Sequence, residues 1–174
     1  AAETYLTRLV QRGYKVAVCE QIEDPKEAKG MVKRAVTRIV TPGTNMDAMS
    51  LDESKNNYIM CIVYLADRYG VSIADVSTGD YYVTEVDSER KLFDEITKFS
   101  PSEIICNESF YMSGVDIEDL RHRLKITIYA LETWYFGDEL AETTLLTHFK
   151  VKSLEALGLA DYDCGMIAAG ALLK

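Results

Sequence analysis

Acidic side chains follow apolar, strand-like runs in the second half of the chain, so metal-dependent nuclease chemistry is the first activity to consider. Asp75 lies at the end of one such run, and Glu108 follows another. A two-metal nuclease needs several carboxylates that converge on its ions, including one from the central strand of the sheet that carries them. The run that would form this strand, residues 58–66, contains no acidic residue. The sequence therefore argues against a nuclease. We instead expect Asp75 to accept hydrogen bonds from residues 77–79 of the following turn.

Other reactive residue types are scattered along the sequence. Zinc sites usually take cysteines in C-x-x-C pairs, and no such pair occurs here, so we expect buried thiols. His122 and His148 have no evident carboxylate or serine partner, and we expect them to face solvent. Residues 134–136, WYF, could stack on a base, but a core or protein contact is the favoured interpretation. No phosphate-binding G-x-x-x-x-G-K-[ST] loop is present. We therefore predict no catalytic residue, no metal site and no cofactor site.

Charge is unevenly distributed along the 174 residues, whose formal net charge is −9. Residues 1–44 carry eight basic and five acidic side chains, whereas the remainder carries 11 basic and 23 acidic ones. This asymmetry predicts two units with different partners, of which only the first tolerates a polyanion. No stretch approaches the roughly 18 unbroken apolar residues of a spanning helix, and the first ten residues do not resemble a signal peptide. We expect a cytoplasmic protein without a membrane partner.

Residues 1–44 are predicted to be the last part of an α/β domain. A helical stripe from Tyr5 to Val10 precedes the strand YKVAVCEQ. Asp24-Pro25 predicts the start of a one-turn helix that Gly30 would end. The next strand, VKRAVTRIV, has basic side chains on both faces, which predicts a position at an edge or on the surface.

The basic side chains of this last strand allow two interpretations. A solvated face is the general expectation for a run of charges. Alternatively, Lys33, Arg34 or Arg38 contacts DNA phosphate and adds affinity that depends on salt but not on base sequence. Of the three, Arg38 is the best single candidate.

Residues 45–57 are predicted to be a linker, because Pro42-Gly43 signals a turn and a polar stretch follows it. Residues 58–161 are predicted to form a compact α/β unit, the connector, and residues 162–174 to begin a further helix. YIMCIVYLA (58–66) is predicted to be a central strand buried on both faces. Two antiparallel strands, a helix from Ser88 to Phe99 and alternating elements follow. This order indicates an α/β fold with a ribonuclease-H-like mixed sheet flanked by helices.

The stretch GYKVAVCEQIEDPKEAKGMVKRAVTRIVTPGT (13–44) closely resembles the segment that closes the mismatch-recognition domain in the bacterial MutS family of DNA mismatch repair proteins. Its run CEQIEDP…AKG…VKR…R.VTPGT is long and specific. Two further stretches, ADVSTGDYYVTE and SPSEIICNE, are similar to the connector domain of the same family. The terminal AAGALLK is similar to the start of the helix that leads to the family's lever region. The resemblance covers essentially the whole chain.

The resemblance implies an internal fragment: an incomplete mismatch-recognition domain joined to a ribonuclease-H-like connector without catalytic acids. The family wedges the Phe of a Phe-x-Glu motif into the mismatched duplex and has an ATPase domain with a Walker A loop. Neither has a counterpart in this sequence, so ATP and Mg²⁺ would belong to the rest of the parent protein.

In the family, the connector passes signals between DNA, the ATPase and the partner protein MutL. The implied partners are therefore mismatched duplex DNA, MutL, other MutS domains and a second MutS subunit. Residues 17–30 become scaffold, because they would position the basic strand beside DNA, which favours Arg38 as a phosphate contact. An incomplete first domain also exposes apolar faces, and such faces favour self-association. A metal-dependent ribonuclease-H-like nuclease or resolvase remains the alternative function.

Overall fold

The computed structural model describes residues 2–26, 28, 30–46 and 55–174, which form two units. We call the described residues up to 46 the hairpin unit and residues 55–174 the sheet unit. The hairpin unit contains α1 (Ala2–Gln11), β1 (Val16–Gln21) and β2 (Arg34–Val40). The strands of the sheet unit are β3 (Tyr58–Leu65), β4 (Arg68–Asp75), β5 (Asp80–Val86), β6 (Glu103–Cys106) and β7 (Thr127–Ala130). Its α-helices are α2 (Glu89–Phe99), α3 (Ile117–His122), α4 (Asp138–Phe149) and α5 (Asp163–Leu173).

The hairpin unit is a helix packed on two antiparallel strands; the sequence pattern predicted the helix and both strands, and the structure adds their antiparallel pairing. Leu6 and Val10 of α1 bury themselves against Val40 of β2, because these apolar side chains share the inner faces of the two elements. This core is small. Other apolar side chains of the unit, among them Tyr5, Leu9, Val36 and Ile39, lie exposed. The predicted surface position of the basic strand is confirmed, because five of the seven residues of β2 are exposed.

The one-turn helix predicted after Asp24 is absent from the described residues of that stretch, and the prediction is wrong there. Pro25 and Lys26 form a turn, in which the Asp24 carboxylate accepts the Lys26 N–H at 2.9 Å. An Asp side chain that binds the backbone two residues ahead stabilises a turn as readily as it caps a helix. Residues 27 and 29, which the predicted helix included, lie outside the described residues.

The sheet unit is a three-layer α/β arrangement around a five-stranded mixed sheet, which confirms the α/β class predicted from the sequence. The strand order is β5-β4-β3-β6-β7; β3, β4 and β5 are antiparallel neighbours, and β6 and β7 run parallel to β3. The central strand is buried on both faces, as predicted. Met60 and Ile62 pack with α2 and α3, whereas Cys61 and Val63 pack with α4 and α5. This explains the unbroken apolar run, since a strand covered on both faces needs no polar side.

Helix α5 packs almost directly on the sheet backbone. A Cβ at Gly70 of β4 would lie 2.0 Å from the Cys164 carbonyl oxygen, so only glycine permits this approach. Ser72 and Tyr81 donate their hydroxyls to the α5 carbonyls of Ala168 and Ala169 at 2.7 and 2.6 Å. These contacts fix the helix predicted at the end of the chain against β4 and β5. Within the described ranges, no helix is long and apolar enough to cross a membrane.

Candidate functional site at the junction of the two units

Two buried carboxylates lie where the chain passes from the hairpin unit into the sheet. They are Asp75 and Glu103, which are 1% and 0% exposed. Asp75 is paired in register with Tyr58, and Glu103 with Ile59, so both flank the first residues of β3. A buried carboxylate is costly unless donors surround it. The source of those donors shows what the two residues do.

Glu103 receives its hydrogen bonds from two different parts of the molecule. Its Oε2 accepts the backbone N–H of Gly43 at 2.7 Å, across 60 residues of sequence. Its Oε1 accepts the hydroxyl of Tyr129 on the neighbouring strand β7. The ammonium of Lys15, in the hairpin unit, lies 3.2 Å from the centre of the Tyr129 ring, at cation–π distance. Glu103 therefore joins the end of the hairpin unit to the edge of the sheet.

The turn that supplies the Gly43 N–H is itself held closed. The Thr41 N–H donates to the Thr44 hydroxyl at 3.0 Å, and the Thr44 N–H donates to the Thr41 carbonyl at 3.2 Å. A Cβ on Gly43 would lie 2.7 Å from the Cβ of Ile59 and 3.0 Å from Oε2 of Glu103. Glycine is required here because the backbone of the turn touches the sheet. The TPGT sequence thus forms a docking turn between the two units.

Asp75 holds the other end of the connecting segment. Its Oδ2 accepts the side-chain amide of Asn56 at 2.9 Å and the backbone N–H of Asn57 at 3.0 Å. Its Oδ1 accepts the N–H and hydroxyl of Ser77 at 2.8 and 2.6 Å, as the sequence predicted for this carboxylate. Burial alone would raise the pKa of Asp75, but the hydrogen bonds from Ser77, Asn56 and Asn57 outweigh it and lower the pKa below 3.8.

Asn57 links the two ends of this segment. Its side-chain amide donates to the Pro42 carbonyl at 2.8 Å, and its carbonyl oxygen accepts the Ser102 hydroxyl at 2.8 Å. Ser102 directly precedes Glu103 at the start of β6. The docking turn, the entry to β3 and the start of β6 are therefore connected through one amide side chain. Such a network of satisfied buried groups fixes a single arrangement of the two units.

Two side chains of the junction, those of Lys15 and Tyr129, have shifted pKa values. Burial lowers the pKa of Lys15, although the nearby charge of Glu103 partly opposes this. Burial and the hydrogen bond to Glu103 raise the pKa of Tyr129 far above that of a free phenol. Tyr129 therefore remains a neutral donor at any physiological pH. The carboxylates of Asp75 and Glu103 thus serve to hold the parts of the junction together, since every oxygen of both accepts a hydrogen bond from a protein group.

The three predicted phosphate contacts lie on the exposed hairpin, away from this network. Arg38 forms an ion pair with Glu3 of α1 at 3.1 Å, and both side chains are largely exposed. The Lys33 backbone N–H donates to Glu23 at 2.9 Å, while its side chain is exposed. Arg34 is paired in register with Gln21 and is also exposed. The fold thus presents all three cations to solvent, and their contact with phosphate stays a prediction.

The remaining reactive side chains are not brought together. His122 is exposed as predicted, but it has a carboxylate partner after all, Glu118 at 3.0 Å, one helical turn earlier. Cys19 is exposed, so the prediction of a buried thiol is wrong there, because the outer surface of the hairpin is uncovered. Trp134 is also exposed and stacks on Tyr135, with ring centres 3.8 Å apart, so the core interpretation does not hold for it. Among the described residues, no group of His, Cys, Asp and Glu is placed to hold a metal ion.

Sequence reasoning missed Glu103 as a functional residue. The available signal was an acid inside the apolar run EIIC, since a glutamate on a fully buried strand requires donors. The identity of those donors was not readable, because Gly43 and Tyr129 lie far from Glu103 in sequence. The asparagine pair 56–57 likewise carries no sequence signal beyond that of a polar linker.

Comparison with known families places these elements in a larger context. The family model described as MutS domain II matches residues 57–174, and the model described as MutS domain I matches residues 1–49. The junction described above is thus the place where the two matched regions meet.

Individual relatives match the chain from end to end. The DNA mismatch repair protein MutS of Lachnoclostridium phytofermentans is 55% identical over 174 residues, which is 100% of this chain and 19% of that protein. The proteins of the same name from Ruminiclostridium cellulolyticum and Acetivibrio thermocellus are 41% and 42% identical over 177 residues, again across 100% of this chain and 20% of each relative. The chain therefore spans about a fifth of the length of the curated relatives that it matches.

Proposed function

The chain belongs to the MutS family, and we propose that it serves DNA mismatch repair as a non-catalytic connector between a mismatch-recognition domain and the rest of a longer protein. In this role the sheet unit is the connector, and the hairpin unit is the closing part of the recognition domain. The sheet order, with β3 central and β6 and β7 parallel to it, supports a ribonuclease-H-like connector.

One observation carries the proposal. Asp75 and Glu103, which are 1% and 0% exposed, both accept N–H groups at the ends of the segment that joins the two units. A buried carboxylate that loses its donors is strongly destabilising, so in this proposal the two residues hold a fixed geometry between two folded parts. Because satisfied hydrogen bonds hold this joint in one arrangement, a movement of the DNA-binding part would carry the connector with it as one body.

The catalytic alternative, a metal-dependent nuclease or resolvase, finds no support. Each oxygen of Asp75 already accepts two hydrogen bonds from protein groups, so metal binding would require that these be broken. Strand β3 carries no acid. In this proposal, ATP and Mg²⁺ act elsewhere in the parent protein, and this chain is not an enzyme.

The proposed partners follow from charge and family. The hairpin unit presents Lys33, Arg34 and Arg38 to solvent, which suits contact with the phosphates of a mismatched duplex, with Arg38 exchanging Glu3 for phosphate. The acidic sheet unit suits protein partners instead: MutL, other MutS domains and a second MutS subunit. The proposed location is the cytoplasm.

The test uses the full-length parent protein with Glu103→Gln, measured against Glu108→Gln. The control residue is an exposed acid that follows the same strand. We expect Glu103→Gln to leave the affinity for mismatched DNA unchanged, while stimulation of ATP hydrolysis by that DNA and capture of the MutL N-terminal domain fall about fivefold or more, the size of a typical coupling energy. Full stimulation and full MutL capture in Glu103→Gln would contradict a relay through this joint.

A further inference from the structure

A cleft of about 440 Å³ lies between the hairpin unit and the sheet unit. Its walls come from the end of α1, from the docking turn and from the segment between α3 and β7. Three of its lining residues are cationic, namely Arg12, Arg121 and Lys125, and none of its described lining residues is acidic. This is unusual for a chain with a formal net charge of −9.

Two of the three cations are uncompensated. The side chains of Arg12 and Lys125 form no hydrogen bond or ion pair with any other described residue, and both residues are exposed; the hydrogen bond of Arg12 to Leu9, at 3.1 Å, comes from its backbone N–H. Arg121 is held in place: it donates to Glu118 at 2.9 Å and to the Ile128 carbonyl at 3.2 Å. Glu118 neutralises part of that charge, so Arg12 and Lys125 supply the excess positive potential of the cleft.

The backbone gives a second observation. Lys125 has a φ of 56°, in the left-handed region that a long side chain rarely adopts. It lies in the turn that leaves α3 and enters β7, and Ile126, next to it, is buried. Ser100 and Lys150, at the ends of α2 and α4, adopt the same backbone region, so this conformation marks the tight turn after α3. The turn fixes the position from which the Lys125 side chain leaves the backbone.

Neutral donors complete the lining. Gln11 and the Thr127 hydroxyl line the cleft beside Gly13, at which a Cβ would lie 2.9 Å from that hydroxyl oxygen. Glu103 does not line the cleft, and its two oxygens already accept hydrogen bonds from Gly43 and Tyr129. The site therefore offers guanidinium, ammonium and hydroxyl groups, the donor set that proteins use for phosphate.

We propose that this cleft binds a phosphate-bearing anion of the pyrophosphate or phosphodiester class. The ligand spans the two units, with Arg12 on one side and Arg121 and Lys125 on the other, and so stabilises their docked arrangement. This site is separate from the phosphate contacts proposed for β2 and does not depend on the connector role. Its two possible sources are a free polyphosphate and the backbone of a nucleic acid.

The first arm of the test titrates inorganic pyrophosphate into the 174-residue chain, with binding followed by calorimetry and by thermal unfolding. We expect saturable binding and a rise in the melting temperature, since a ligand that binds only the docked form stabilises it. The double variant Arg12→Gln/Lys125→Gln should bind at least about tenfold more weakly. The control variant Arg90→Gln/Lys152→Gln removes two exposed cations outside the cleft lining and should bind as the wild type does.

A second variant separates binding from folding. Lys125→Asn removes the charge but places at this φ a residue that tolerates it, so the chain should be at least as stable as the wild type and still lose pyrophosphate binding. Equal binding by the wild type, the cleft double variant and Lys125→Asn would overturn the proposal, as would no binding by the wild type to either probe.

The second arm identifies the source of the phosphate. A labelled duplex is titrated at several salt concentrations with the wild type, the cleft double variant and the control. If nucleic acid fills the cleft, the cleft variant loses up to two phosphate contacts, and the slope of log affinity against log salt concentration falls by about 0.9 for each contact that is lost. If a free polyphosphate fills it, duplex binding is unchanged and only pyrophosphate binding is lost. Either result supports the anion site and assigns its ligand.

Discussion

Substitution of Gly43 by alanine tests the docking turn with the smallest possible change. The added Cβ would lie 2.7 Å from the Cβ of Ile59 and 3.0 Å from Oε2 of Glu103. Real Cβ atoms essentially never come as close as 2.7 Å, so the turn must move away from the sheet. That movement breaks the 2.7 Å hydrogen bond from the residue-43 N–H to Glu103.

The size of the effect follows from the bond that is lost. A hydrogen bond to a charged group contributes about 1.5–3 kcal/mol. At about 1.4 kcal/mol per factor of ten, the open form of the joint should become about 10- to 150-fold more populated. The change should stay local, because β3 to β7 retain their own core.

Amide hydrogen exchange at residue 43 and at Thr44, whose N–H donates to the Thr41 carbonyl at 3.2 Å, measures this population directly. Gly137→Ala is the matched control, because Gly137 has an ordinary φ of −79° and a Cβ there would meet nothing closer than 3.9 Å. We expect fast exchange at residue 43 in Gly43→Ala and wild-type exchange in Gly137→Ala. Wild-type exchange at residue 43 in Gly43→Ala, or equal acceleration by both variants, would refute the reasoning.

Three further predictions concern Asp75, Ala66 and Arg38. The pKa of Asp75 is lowered in the folded state, so its ionised form stabilises the fold at pH values above the ordinary pKa of 3.8, and this contribution is lost as the pH falls through the folded pKa. Asp75→Asn should therefore reduce the free energy of unfolding at pH 7 by about 1–3 kcal/mol. It should also flatten the decline of that free energy in acid, which urea titrations at several pH values will measure. Ala66 has a φ of 51° in the tight turn between β3 and β4, so Ala66→Gly should stabilise the chain by about 1 kcal/mol. Calorimetry should then show a melting temperature that is higher by about 2–4 °C, and a lower one would contradict this reasoning. Arg38→Gln should lower the free energy of unfolding by at most about 1 kcal/mol, because the ion pair of Arg38 with Glu3 is exposed. It should nevertheless reduce the slope of log affinity against log salt concentration for duplex binding by about 0.9. An unchanged slope would mean that Arg38 does not contact DNA.

Local signals in the sequence predicted most elements of the sheet unit. Ser88 was expected to begin a helix, and its hydroxyl accepts the Lys91 N–H at the start of α2. The unbroken apolar run of residues 58–66 predicted a strand covered on both faces, and β3 is that strand. These predictions succeeded because capping and burial patterns depend on residues a few positions apart.

Predictions failed where a neighbour distant in sequence, or the lack of one, decided the outcome. Cys19 was expected to be buried because its strand is apolar, but that part of the hairpin surface is uncovered. The turn at Ala66 and Asp67 was not predicted, because neither residue is the glycine or asparagine that usually marks left-handed backbone. The Asp24 turn shows the same ambiguity, since one side chain can stabilise either a helix start or a turn.

The sequence by itself therefore determined the order of helices and strands, the buried central strand, the family resemblance and the exposure of the basic strand. Only the tertiary structure decided that Glu103 would hold Gly43 from 60 residues away, that Asp75 would hold the asparagine pair before β3, and that three cations would share one cleft. The physical reason is that a buried carboxylate must find donors but does not specify which ones. Its partners are whichever N–H groups the packed chain brings within reach, and that depends on the whole fold.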